Sequence, residues 1–207
     1  MRILKSLSLI ITMTMFLCLP TVSKTIPEKK MGAYLFTFFN DPTHSLFMAI
    51  SYDGYTFTAI NEGKPVIGGD SIAAQHGIRD PHICRAPNGM FYIAMTDLHV
   101  FGKQRGLRKT QWERDDKYGW GNNRGLVLMK SKDLIHWTHN EVFINEAFPE
   151  NFWDLGCAWA PQTIWDPAAG KLMVYFTSGN IPTAGRNSIT RMPTKTSLNW
   201  KRAKTAI

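Results

Sequence analysis

A short pattern that occurs twice limits the fold more than any other feature of this chain. Phe47–Thr58 reads FMAISYDGYTFT and Val127–Thr138 reads VLMKSKDLIHWT, so Ser51, Asp53, Phe57 and Thr58 recur as Ser131, Asp133, Trp137 and Thr138, 80 residues on. A second pair of segments repeats at nearly the same spacing: Ile83–Gly89 with Tyr92 resembles Ile164–Gly170 with Met173. Two hairpin types therefore alternate with one period. A hairpin joined to a hairpin makes a four-stranded antiparallel sheet, and radial repetition of such sheets makes a β-propeller.

The stretches between turn residues read as strands. Ala33–Phe39 and Leu46–Ile50 flank an Asn40-Asp41-Pro42 turn, and Pro87-Asn88-Gly89 separates His82–Arg85 from Met90–Thr96. Pro167–Gly170 separates Thr163–Trp165 from Lys171–Thr177 in the same way. No segment sustains a 3.6-residue period, so the chain is expected to be all-β. The repeat is longer than the roughly 40–50 residues of an ordinary blade, and the polar, Gly-rich stretch Val100–Asn123 is the expected insertion. Strands 33–60, 80–143 and 159–178 amount to an incomplete propeller of about two to three blades, fewer than the typical 4–8.

The charge is unevenly placed. The 207 residues hold 24 Lys+Arg and 16 Asp+Glu, a net +8 that would ordinarily suggest nucleic acid as a partner. Arg2 and Lys5 lie in residues 1–23, where a basic start, the apolar run Leu7–Leu19, Pro20 and the small residues Thr21 and Ser23 have the form of a cleaved signal peptide. The apolar run is shorter than the roughly 20 residues of a spanning helix, and Leu17 before Cys18 does not suit a lipoprotein site. The mature protein is expected to be exported, to the periplasm or outside the cell, without stable membrane insertion. Arg186, Arg191, Lys195, Lys201, Arg202 and Lys204 carry the rest of the excess, in a segment with no acid. The body between residues 24 and 180 is neutral, which argues against nucleic acid. After Thr177 the strand pattern stops, and residues 181–207 are expected to be an aberrant basic tail read after a frameshift near residue 180. Once the signal is removed, Cys84 and Cys157 remain, read as buried free thiols rather than a disulfide framework.

Three elements together resemble glycoside hydrolase family 43. They are Arg79-Asp80-Pro81-His82-Ile83 before a Gly-Met-Phe-Tyr hairpin, the Ser131–Trp137 strand, and Ala158-Trp159-Ala160-Pro161-Gln162 before Gly170–Tyr175. The resemblance covers roughly residues 32–178, the N-terminal part of such a domain. It implies a five-bladed propeller that hydrolyses arabinose, xylose or galactose units of plant-type polysaccharides by inversion. Inversion needs a carboxylate base to activate water and a carboxylic acid to protonate the leaving oxygen, about 6.5–9.5 Å apart.

By this resemblance Asp80 is the general base, although Asp before Pro is also a common turn starter. Gln162 occupies the position of the carboxylate that tunes the acid's pKa, and an amide lacks the charge for that task. No residue matches the general acid Glu, and Glu141, Glu146 and Glu150 fall in the wrong blade. Asp154 and Asp166 are nearby acids that could take over the tuning role. Turn chemistry is the alternative for both and the stronger reading for Asp166 before Pro167, and Asp154 is also a candidate substrate contact. Aromatic faces stack on sugars, so Trp120 and Trp112 in the insertion are candidate platforms, and Trp159 could stack on sugar or pack between blades. Trp137 and Trp165 are assigned to packing. His82 is a candidate sugar contact. His76, His82 and His99 lack zinc spacing, and no metal ligand or cofactor is assigned, although the resemblance allows a calcium ion. The oligomeric state is left open. A non-catalytic sugar-binding propeller and an inactive truncated product are the alternatives.

Overall fold

The computed structural model describes residues 32–110, 123–180, 187–191 and 204–206. Its strands are β1 (Tyr34–Phe38), β2 (Phe47–Ser51), β3 (Thr58–Ala59), β4 (Ile78–Arg85), β5 (Phe91–Asp97) and β6 (Gly125–Ser131). They continue with β7 (Trp137–Phe143), β8 (Leu155–Asp166), β9 (Lys171–Asn180), β10 (Asn187–Arg191) and β11 (Lys204–Ala206). All pairings are antiparallel. They form three sheets, ordered β1-β2-β3, β4-β5-β6-β7-β11 and β8-β9-β10.

These are the hairpins that the repeat predicts, with three differences. First, β4 and β8 extend upstream of the expected strands, each continuing through a Pro. Second, three one-turn helices, α1 (Gly69–Ile72), α2 (Ile144–Ala147) and α3 (Pro149–Phe152), interrupt an otherwise all-β chain. Third, β10 pairs with β9 and β11 with β7, in a segment expected to hold no strand. Backbone pairing across sheet edges does not need an alternating sequence pattern, which is why periodicity misses such strands.

The sheets stack face to face. The sheet of β4–β7 lies in the middle and is buried on both sides. Side chains alternate across a strand, so Leu126 and Leu128 of β6 enter one cluster while Val127 and Met129 enter the other. Leu126, Leu128 and Ala94 pack with Phe152, Leu155, Val174 and Phe176, joining β5–β6 to α3, β8 and β9. Val127, Met129, Ile93 and Met95 pack with Leu46, Met48, Ile78 and Trp137, joining β2 to β4–β7. The apolar run GLVLM of β6 therefore reflects a strand with no solvent face. Trp137 is buried in the second cluster, as its assignment to packing requires. Both cysteines are free thiols; Cys157 is buried, whereas Cys84 is only half-buried. Among the described residues no helix is long and apolar enough to cross a membrane.

The repeated Ser-x-Asp motif is realised twice with the same bonds. The Ser51 hydroxyl donates to Asp53 Oδ1 (2.8 Å) and accepts from the Gly54 amide (2.9 Å), while Tyr55 and Thr56 donate to Asp53 Oδ1, each at 2.8 Å. Ser131, Asp133, Leu134, Ile135 and His136 reproduce the set at 2.8–3.1 Å. Each turn satisfies backbone donors that a two-strand hairpin leaves open.

Candidate functional site

Asp80 lies within β4, two residues after its start. Arg79 pairs with Thr96 and His82 pairs with Ala94, so the register jumps by one residue across Asp80-Pro81. This is a β-bulge, a place where Pro costs no ladder bond because the extra residue is unpaired anyway. Asp80 has φ 51°, in the left-handed region. Its Oδ2 accepts a hydrogen bond from the Thr96 hydroxyl at 3.0 Å. The Pro81 carbonyl accepts from the Thr37 hydroxyl of β1 at 3.1 Å, which ties the bulge to the neighbouring sheet. Arg79, just before it, donates to Asp41 Oδ1 at 2.6 Å and lies over the Phe39 ring at 4.5 Å.

The same device recurs in β8. Trp159 pairs with Thr177 and Gln162 with Tyr175, again a one-residue jump, and here the bulge residues are Ala160-Pro161. Ala160 has φ 46°. By register, Ala160 is the counterpart of Asp80 and Gln162 the counterpart of His82. Gln162 is exposed, and its Oε1 accepts from the hydroxyl of Tyr175, its cross-strand neighbour, at 2.8 Å.

Two hydrogen-bonded links join the bulged strands. The Ala160 amide donates to Thr96 Oγ1 at 2.9 Å. The Thr163 amide donates to His82 Nδ1 at 3.1 Å, with the Thr163 hydroxyl on the same nitrogen at 3.0 Å. Nδ1 is thus an acceptor, and the imidazole carries its proton on Nε2. Burial pushes the His82 pKa down, so this tautomer is the neutral-pH form. Structure therefore brings Asp80, His82, Thr96, Ala160 and Thr163 together.

The other predicted residues are placed less directly. Trp159 is half-buried, and its indole N–H donates to Asn123 Oδ1. Asn123 is fully buried, donates to the Asp97 carbonyl at 3.2 Å, and through its own carbonyl receives the Ala158 amide at 2.9 Å. The indole edge is thus a structural tie. Asp154 sits half-buried in the turn between α3 and β8. Trp120 and Trp112 lie outside the described residues. Asp166 Oδ1 accepts from the Ala168 and Ala169 amides at 2.9 and 3.1 Å, the turn role that its sequence suggests. Glu141 Oε1 accepts from the Ala74 amide at 2.9 Å. Among the described residues no group of three or more His, Cys, Asp or Glu is arranged to hold a metal ion.

Sequence reasoning misses Thr96, Thr163, Asn123 and Trp153. The first three act across the fold, and no local signal marks them. Trp153 is 75% exposed beside Asp154. Its exposure follows from its place just after the one-turn helix α3, which the sequence pattern does not show.

Comparison with known proteins gives the class first, that of the glycosyl hydrolases. A model described as a "probable glycosyl hydrolase domain", of the family 43-related type, matches residues 29–202. The chain belongs to this glycoside hydrolase family 43-related group. It is also 27% identical over 132 residues to an alpha-L-arabinofuranosidase of Bifidobacterium longum subsp. longum. That similarity covers 61% of this chain but only 11% of the relative's length. The family match continues to residue 202, past the position where the sequence suggests a change of frame.

Proposed function

We propose that this protein is an exported glycoside hydrolase that cleaves O-glycosidic bonds of arabinose, xylose or galactose units in plant-type polysaccharides or oligosaccharides, by inversion. The three stacked sheets are read as successive propeller blades, with β4 and β8 as inner strands facing one sugar pocket. The observation that carries the reading is Asp80. A carboxylate is held in left-handed backbone at a bulge, with one oxygen fixed by a buried hydroxyl. Strained backbone of this kind costs about 1–3 kcal/mol and persists where the surrounding structure imposes it, often at functional sites.

In this mechanism Asp80 Oδ1, which takes no hydrogen bond from the described residues, accepts a proton from water as that water attacks the anomeric carbon. His82 Nε2–H is a donor for a sugar hydroxyl. Trp153 offers an exposed ring face, and Trp159 and Trp120 are further stacking candidates. The proton donor to the leaving oxygen is not assigned to any residue of this chain. The arabinofuranosidase similarity makes aryl α-L-arabinofuranosides the first substrates to try.

A second reading, a sugar-binding module without catalysis, is favoured by Gln162, whose exposed amide is engaged with Tyr175. Asp80→Asn distinguishes the two. In a hydrolase, turnover of aryl arabinofuranosides, xylosides or galactosides falls at least about a hundredfold while oligosaccharide affinity is retained. Oligosaccharide binding by a wild type that shows no turnover supports the binding module.

A further inference from the structure

Thr96 is completely buried on β5, and its hydroxyl makes one contact to the neighbouring strand β4 and one to β8 of the next sheet. It accepts from the Ala160 amide of β8 at 2.9 Å and lies 3.0 Å from Asp80 Oδ2 of β4. A hydroxyl has one proton to give, and the amide cannot accept it. The proton therefore points to the carboxylate, and the chain of donation runs from Ala160 N–H to Thr96 O–H to Asp80 Oδ2. Both ends of this chain are bulge residues with positive φ, 46° and 51°, each followed by Pro. An extended β8 would carry its amide into the ladder with β9. The bulge instead turns the Ala160 N–H out of the ladder and onto Thr96.

We propose that Thr96 is a positioning residue for Asp80: it occupies Oδ2, orients the carboxylate plane, and so leaves Oδ1 as the oxygen that takes the proton from water. This rests on the reading of Asp80 as the general base. Ala160 enters through its backbone alone, so the second bulge serves to aim one N–H and needs no functional side chain. A carboxylate free to rotate would present either oxygen, and small misplacements of a reacting group cost up to about a hundredfold in rate.

The test compares Thr96→Val, which keeps the shape and removes the hydroxyl, with Thr96→Ser, which keeps the hydroxyl, in the full chain. Turnover of the aryl glycosides is measured together with the Asp80 carboxyl 13C resonance, assigned by its loss in Asp80→Asn. Thr96→Val should lower kcat about tenfold or more, leave KM within about twofold, and displace the Asp80 resonance. Thr96→Ser should keep the resonance in place and recover most of kcat, a rescue that a purely packing role would not give. An unmoved resonance and unchanged kcat in Thr96→Val, with Asp80→Asn inactive, overturn the assignment of Thr96 alone. Undiminished turnover in Asp80→Asn, or no turnover in the wild type, removes the base reading and the kinetic role of Thr96 with it.

Discussion

Asp53 and Asp133 show what one carboxylate does for a turn. The amides of Thr56 and Tyr55 beside Asp53 hold its pKa down to about 2. The His136 ring, followed by the His136 and Ile135 amides, holds Asp133 well below the usual carboxylate range. Both pKa values lie below the unfolded value of about 3.9, so the ionised form is favoured in the folded turn. Its stabilisation is complete above about pH 4 and fades as pH falls, through about pH 2 for Asp53. Urea unfolding between pH 5 and 2.5 should therefore show a flatter acid limb for Asp53→Asn than for the wild type. Gly54 stands in the same turn at φ 78°, with space for a Cβ closed to 3.3 Å by the Tyr34 ring. Gly54→Ala should cost about 1–2 kcal/mol in denaturant titration. At the equivalent position Leu134 bears φ 66° as a non-glycine, and it packs against the second core cluster. Both turns were legible in the sequence because every partner lies within a few residues. Thr96 was not, because its partners are 16 and 64 residues away.

At the scale of elements, the loop between β1 and β2 and the loop leaving β5 are locked together by His44 and His99, buried and stacked at 4.0 Å. Each ring accepts a backbone amide: Val100 N–H donates to His44 Nε2 and Phe101 N–H to His99 Nδ1, both at 3.2 Å. Burial first, then His99 and Arg79, push the His44 pKa down to about 4, although Asp41 opposes this. Burial, with Arg105 and Arg108, lowers that of His99. A His that must stay neutral when folded loses stability as pH drops below the unfolded value of about 6.5, and for His44 this continues to about pH 4. The loss is at most about 1.4 kcal/mol per pH unit for each ring. Urea midpoints at pH 7 and 5 should differ less in His44→Gln than in the wild type. The sequence shows these as isolated histidines. Their stacking depends on the β1–β2 loop lying against the start of β4, where the Ile78 amide donates to the His44 carbonyl, and so joins residues far apart in the chain.

For the whole molecule, the sheets stack in the order in which β1 to β10 follow along the chain, and β11 returns to the middle sheet. Phe176, 1% exposed, packs at the joint between the middle sheet and β8–β9. Phe176→Ala should destabilise by about 3–5 kcal/mol, read as a lowered urea midpoint, because the cavity it leaves lies between sheets that cannot close on it. Sequencing the gene across codon 180 tests the reading frame: a propeller-like frame downstream supports a shift, and its absence overturns one. The sequence by itself determined the antiparallel hairpins, their spacing, the two Ser-x-Asp turns and the charge confined to the ends. Each of these is written in local pattern, in periodicity, or in a repeat that can be aligned by eye. Only the tertiary structure decided that β4 and β8 run through their prolines as bulges, that Ala160 is the register counterpart of Asp80, and that Thr96 joins them. Those facts depend on register between strands distant in sequence. Register is set by which side chains share a buried face, not by any single strand's own residues.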